Sequence, residues 1–135
     1  MLNDPGTQAP VNELRLMMEA GCVCRYARRF REARDIFLGV RVLAPMQEAA
    51  DLALAGVYVD EGKLADAESH CRRALELNRA GSAAYAQLAE VQLLQNSTAS
   101  ARQSIQKSLE LSPNGPSASV AKTLLMLSSM AAPKR

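Results

Sequence analysis

One interval governs what this 135-residue chain can fold into. Pro45, Arg79 and Pro113 stand 34 residues apart, and Ala33, Ala67 and Ala101 keep the same spacing, as do the small residues Gly21, Ala55 and Ala89. Three units align without gaps as 14–47, 48–81 and 82–115. A fixed period of this length, uninterrupted by insertions, marks a repeat architecture: each unit is one supersecondary motif that buries its apolar face only by stacking on its neighbours.

Each unit holds two segments of helical apolar periodicity. In the second unit Leu52, Leu54, Val57, Tyr58 and Val59 crowd the first segment. Ala67, Cys71, Ala74 and Leu75 follow at i, i+4, i+7 and i+8 in the second. Glu61-Gly62-Lys63 supplies the turn between them. Arg28 and Asn96 occupy the place of Gly62 in the other units; Asn accepts the left-handed conformation that often ends a helix, Arg less readily. Pro45 and Pro113 cannot continue the helices before them. The spacing predicts helices over 12–27, 30–43, 47–61, 64–78, 82–95, 98–111 and 117–130, with Ala67 and Ala101 where paired helices approach closely.

The pattern resembles the tetratricopeptide repeat (TPR) family over about three quarters of the chain. That family runs aromatic, Leu, small, Tyr, then Ala, aromatic and Pro at set offsets. The third unit shows Tyr85, Leu88, Ala89, Ala101, Ile105 and Pro113; the second Leu54, Ala55, Tyr58, Gly62, Ala67 and Ala74; the first Gly21, Ala33, Phe37 and Pro45. The departures are Met17 and Asp51 for the opening aromatic, Cys24 and Gln92 for Tyr, and Arg79 for the closing proline. The resemblance implies an all-α, right-handed α-solenoid of three helix pairs.

Composition sets the class. A chain of this length forms one domain, expected over 12–130, with tails at 1–11 and 131–135. Aromatic residues make up only 4%, so the core must be built from Ala, Leu, Val and Met. No apolar run approaches the roughly 18 residues of a membrane span. No basic, apolar start marks a secretory signal. Three cysteines without a disulfide pattern fit a reducing compartment, and the expected location is cytoplasmic. After Pro113, Asn114-Gly115-Pro116 breaks the chain, and Val120, Leu124, Leu127 and Met130 repeat at helical spacing. This reads as a helix capping the stack over 117–130; the alternative is that its second apolar side, Leu125 and Met126, also contacts a partner.

Catalytic chemistry has no foothold in the pattern. His70 is the one histidine and reads as an exposed helix residue, since a single imidazole lacks the partners of a metal site. Ser69, His70 and Cys71 are chain neighbours and diverge on a helix, as do Cys22 and Cys24. There is no phosphate loop or nucleotide fingerprint. The expected protein is therefore no enzyme, with neither cofactor nor metal.

Charge is uneven. The first unit carries seven Arg against three acids, and the second four Lys or Arg against seven acids. Arg25, Arg28 and Arg29 share a helix face, which could make a basic patch. Asp60, Glu61 and Asp66 on the same edge of the next unit should attenuate it. With a net charge of +2, nucleic acid is not the expected partner.

In TPR-like stacks the first helix of each unit lines a concave face. The resemblance places Arg15, Met18, Cys22, Arg25 and Tyr26 there, then Ala49, Leu52, Gly56, Val59 and Asp60, then Ala83, Ala86, Glu90, Leu93 and Leu94. TPR co-chaperones that grip a C-terminal carboxylate use a Lys and Asn pair in the first unit, where this chain has Met18 and Cys22. The expected groove consists of Met18, Cys22, Arg25, Leu52, Val59, Asp60, Ala86, Glu90 and Leu93. Its apolar floor suits an amphipathic helix or extended apolar segment of a protein partner. Three short repeats, a cap and an apolar groove also look like the small TPR chaperones of bacterial type III secretion. The expected function is a chaperone or assembly adaptor. The alternative is a structural subunit docked permanently in a larger complex. Oligomeric state is left open.

Overall fold

The computed structural model describes residues 11–130. Seven helices follow one another: α1 Val11–Tyr26, α2 Phe30–Leu43, α3 Ala49–Asp60, α4 Leu64–Leu77, α5 Ser82–Leu94, α6 Thr98–Leu111 and α7 Ala118–Met130. The described residues contain no strand. Every expected helix is present, with ends within two residues of the expected ones. Val11, expected in a tail, begins α1; the rest of both expected tails lies outside the described residues.

The turns inside the units share one geometry. Arg28, Gly62 and Asn96 are left-handed, with φ of 62°, 76° and 63°. The next residue of each turn, Arg29, Lys63 or Ser97, donates its backbone N–H to the carbonyl of Cys24, Tyr58 or Gln92 at 2.8 Å. This closes each first helix with the Schellman pattern, which satisfies carbonyls the helix end would leave bare. α2 and α6 stop just before Pro45 and Pro113.

Each helix pairs with its hairpin partner, and each second helix packs on the following first helix. The first helices α1, α3, α5 and α7 also touch in series, whereas α2, α4 and α6 do not touch one another. A layer in continuous contact beside a splayed one curves toward the contiguous side. The first helices therefore line the concave face.

Unit joins use equivalent residues. Ala33 and Phe37 receive Leu54 and Val57. Ala67 and Cys71 receive Leu88 and Val91. Ile105 receives Ala121 and Leu124. From Leu54 to Leu88 the step is 34, but from Leu88 to Ala121 it is 33. The side-chain pairs Arg34–Glu61 and Glu68–Gln95 span 27 residues, and their counterpart Arg102–Ser128 spans 26. The ruler thus slips by one residue in the Pro113–Pro116 connection.

That slip corrects the expected seating of the cap. α7 buries Ala118, Ala121, Leu124 and Ser128, while Val120, Leu127 and Met130 are exposed along with Leu125 and Met126. Arg102 Nη2 holds the helix by donating to the Ser128 carbonyl at 3.0 Å. With the slip allowed for, Lys122 stands where Ala55 and Ala89 meet their own second helix. A lysine there ends the stack, because burying its ammonium beneath a further helix would be costly.

Candidate functional site

The residues expected to line a groove lie on α1, α3 and α5 at three depths of burial. Met18, Leu52, Val59 and Leu93 are half-buried. Met18 packs on the Phe37 cluster, Val59 on the Ala67–Cys71 cluster and Leu93 on the Ile105 cluster. Met18, Val59 and Leu93 are therefore anchored in the core at one end and open to solvent at the other, and Leu52 is likewise partly open. Cys22, Asp60 and Glu90 are exposed, and Arg25 is half-buried. Ala86 departs from expectation: it is buried, its methyl too short to rise between the flanking helices. Gln87 Nε2 donates to the Leu52 carbonyl at 2.9 Å, tying α5 to α3 beneath the row.

Arg25 and Asp60 do not stand as separate rim charges. Arg25 Nε donates to Asp60 Oδ2 at 2.6 Å and Nη2 to Oδ1 at 3.2 Å, a two-point bridge from α1 to α3. The guanidinium lies over Gly56, where a Cβ would stand 2.5 Å from Nη1. A side chain at 56 would push the guanidinium aside from this position. The hydrogen bond to Asp60 raises the Arg25 pKa above its ordinary value despite partial burial, and Glu90 adds to the effect. Beside the bridge is a depression lined by Cys22, Arg25, Tyr26, Arg28 and Asp60.

The basic edge is largely neutralised. Asp60 takes Arg25 and Glu61 takes Arg34, while Arg29 pairs with Glu32 at 2.5 Å and Arg28 lies 5.0 Å over the Phe30 ring. Two of the three acids expected to attenuate the patch, Asp60 and Glu61, do so directly.

His70 corrects the sequence reading: it is half-buried, not exposed. Its ring stacks on Tyr58 at 5.4 Å, and Nδ1 lies 3.0 Å from Asp51 Oδ1. Asp51 is wholly buried, with Arg73 Nε 3.3 Å and Arg41 Nη1 3.9 Å away. Asp51 fills the place the repeat pattern gives to an aromatic residue. An ionic cluster joins α2, α3 and α4 there instead of a ring. Burial pushes the neighbouring Cys71 thiol up to about 12, so it stays protonated and a poor nucleophile. Among the described residues no group of three His, Cys, Asp or Glu could hold a metal ion.

The second apolar side expected of the last helix, Leu125 and Met126, is exposed on α7. With the one-residue slip, Met126 continues the row of Val59 and Leu93 and is exposed. Helical spacing alone grouped Leu127 with Val120, Leu124 and Met130 on the cap's packing side, whereas the structure exposes Leu127.

Stacked helical hairpins with a contiguous inner layer define an α-solenoid. The profile of the tetratricopeptide repeat family matches residues 58–125, and the chain belongs to that family. No curated protein sequence matches it. Among solved structures it is similar to the TPR domain of Sgt2 from Aspergillus fumigatus, with a TM-score of 0.81 at 20% identity over 93% of this chain and 83% of that one. It is also similar to the Yersinia enterocolitica type III secretion chaperone SycD in complex with a peptide of the translocator YopD, with a TM-score of 0.75 at 15% identity over 90% and 95%. A third is the first TPR of Spaghetti (RPAP3) bound to the HSP90 peptide SRMEEVD, with a TM-score of 0.76 at 24% identity over 92% and 96%. Among the described residues no helix is long and apolar enough to cross a membrane.

Proposed function

We propose that the chain is a non-catalytic protein-binding module, a chaperone or assembly adaptor that holds an amphipathic helix or extended apolar segment of a partner on its concave face. The observation that carries this reading is the half-buried apolar row of Met18, Leu52, Val59 and Leu93, of which Met18, Val59 and Leu93 are rooted in core clusters. Exposed apolar rows on a water-facing groove mark binding surfaces. The row continues on α7 through Met126, whose flexible thioether adapts to varied apolar partners. The likeness to SycD, solved with a translocator peptide, supports a role of the type III secretion chaperone kind in the cytoplasm. A C-terminal carboxylate such as that of the HSP90 peptide is a poorer occupant, because Met18 and Cys22 offer no paired donors for it. Nucleic acid is disfavoured by the pairing of Arg25, Arg29 and Arg34 with acids.

The test compares Leu52→Asp with an Arg28→Ala, Arg29→Ala control, reading helicity by circular dichroism and partner capture by mass spectrometry of co-purified protein. A charge placed in a dry apolar contact costs several kcal/mol of binding. Retained helicity with the partner lost only from the Leu52 variant supports the groove. Loss only from the arginine variant moves the site to the basic edge.

A further inference from the structure

The repeat makes each first helix a control for the others. The stripe that seats a first helix on the preceding unit is Ala50, Leu54 and Val57 in α3 and Ala84, Leu88 and Val91 in α5, all buried. Its counterparts in α1 are Leu16, Ala20 and Val23. They are just as apolar, yet Leu16 is 60% exposed and Val23 67%, where Val57 and Val91 are 0%. At the far end the stacking position is taken by Lys122; among the described residues nothing packs on the α1 end. Ala27 extends the stripe by another turn and is also exposed.

The geometry points to a second copy of this chain as the occupant, with α1 packed antiparallel on α1 about a two-fold axis. Three observations select it. A second copy has no second-helix face to offer, since α2, α4 and α6 are already covered by α3, α5 and α7. Its exposed apolar helix faces are α1 itself and α7, and Lys122 interrupts the stacking side of α7. The stripe is self-complementary in size: with the axis between residues 21 and 22, Leu16 of one copy faces Ala27 of the other and Ala20 faces Val23, large against small at every contact. The charge also alternates in the required sense. Glu13 lies in the first turn of α1, while Arg28 and Arg29 lie just beyond its last turn. Antiparallel pairing brings each Glu13 toward the other copy's arginines; parallel pairing sets like against like. A two-fold contact of this kind closes on itself and leaves both grooves open. This surface is distinct from the proposed groove and does not depend on it.

The experiment is analytical ultracentrifugation of the 135-residue protein over a concentration series, with helicity followed in parallel. The expected result is a dimer that Leu16→Glu or Val23→Glu converts to a monomer of unchanged helicity. Leu16→Ser should weaken the dimer in the same direction, and the distant exposed substitution Val42→Glu should leave it intact. Glu13→Arg should weaken the dimer, and adding Arg28→Glu and Arg29→Glu should restore it. A monomer at every concentration overturns the proposal. So does a dimer that survives both glutamate variants, or one that the charge reversal fails to restore. Capture of a different helical protein on this face by a monomeric parent chain would likewise overturn it.

Discussion

Gly21 and Phe37 form a size-matched pair whose logic can be tested in full. A Cβ at Gly21 would stand 2.3 Å from Phe37 Cε1, 2.6 Å from Cζ and 2.8 Å from Cδ1. Carbon atoms rest at about 3.5 Å or more, so the ring must retreat by more than about 1 Å. Phe37 is 1% exposed and enclosed by Ala33, Leu54 and Val57, so it has nowhere to go. Overpacking of this kind costs about 1–3 kcal/mol, and the severity of the contact argues for the upper half. Alanine's better helix propensity returns about 1 kcal/mol. Gly21→Ala should therefore destabilise by about 1–2 kcal/mol, lowering Tm by about 4–8 °C. The other units carry Ala55 with Cys71 and Ala89 with Ile105 at the same places, a larger residue on the first helix and a smaller one on the second. Phe37→Ile alone should leave a void costing about 1–3 kcal/mol. The Gly21→Ala, Phe37→Ile double variant copies the third unit and should show a favourable coupling of about 1–2 kcal/mol. Urea denaturation of all four proteins, followed by circular dichroism, measures the cycle. A Gly21→Ala protein as stable as the parent, or additive single variants, would refute the steric argument.

Gly39→Ala is the contrasting case: its Cβ would meet only Met17 Cε at 3.4 Å, so propensity should prevail and Tm should rise, with a gain of about 0.5–1 kcal/mol. Ala67→Leu and Ala101→Leu, at wholly buried positions, should each cost about 1–3 kcal/mol by chemical denaturation. Asp51→Ala should cost about 1–3 kcal/mol by leaving His70, Arg73 and Arg41 without their shared acceptor, and an unchanged denaturation midpoint would show the cluster to be idle. Cys71 is held at about 12 against an ordinary 9.0, so between those values the unfolded chain ionises this thiol and the fold does not. Its contribution to stability should fall as pH rises through that window, and the denaturation midpoint of Cys71→Ala should fall less over the same range. In the native protein a thiol reagent should modify exposed Cys22 well before buried Cys71.

The helices, their turns and their order were legible in the residues because each depends on local physics. Gly62 and Asn96 mark left-handed turns by backbone sterics, Pro45 and Pro113 end helices by lacking an N–H, and the 34-residue interval repeats these signals in phase. The basic edge was readable because Asp60 and Glu61 fall in the next unit, 35 and 27 residues beyond Arg25 and Arg34, where stacking lays one unit's edge beside the other's. What tertiary structure alone decided is how far each side chain stands from its neighbours. The one-residue slip before α7 turned Val120 and Leu127 outward and seated Ala121 and Leu124, because fit against α6, not the count of residues, sets that helix's rotation. Ala86 sank while Leu52 and Leu93 stayed open, since exposure depends on side-chain reach relative to the gap between helices. His70 found Asp51, and Arg25 bridged to Asp60, across separations of 19 and 35 residues. Such contacts form only when stacking brings the units together, and no local pattern in the chain specifies the pairing.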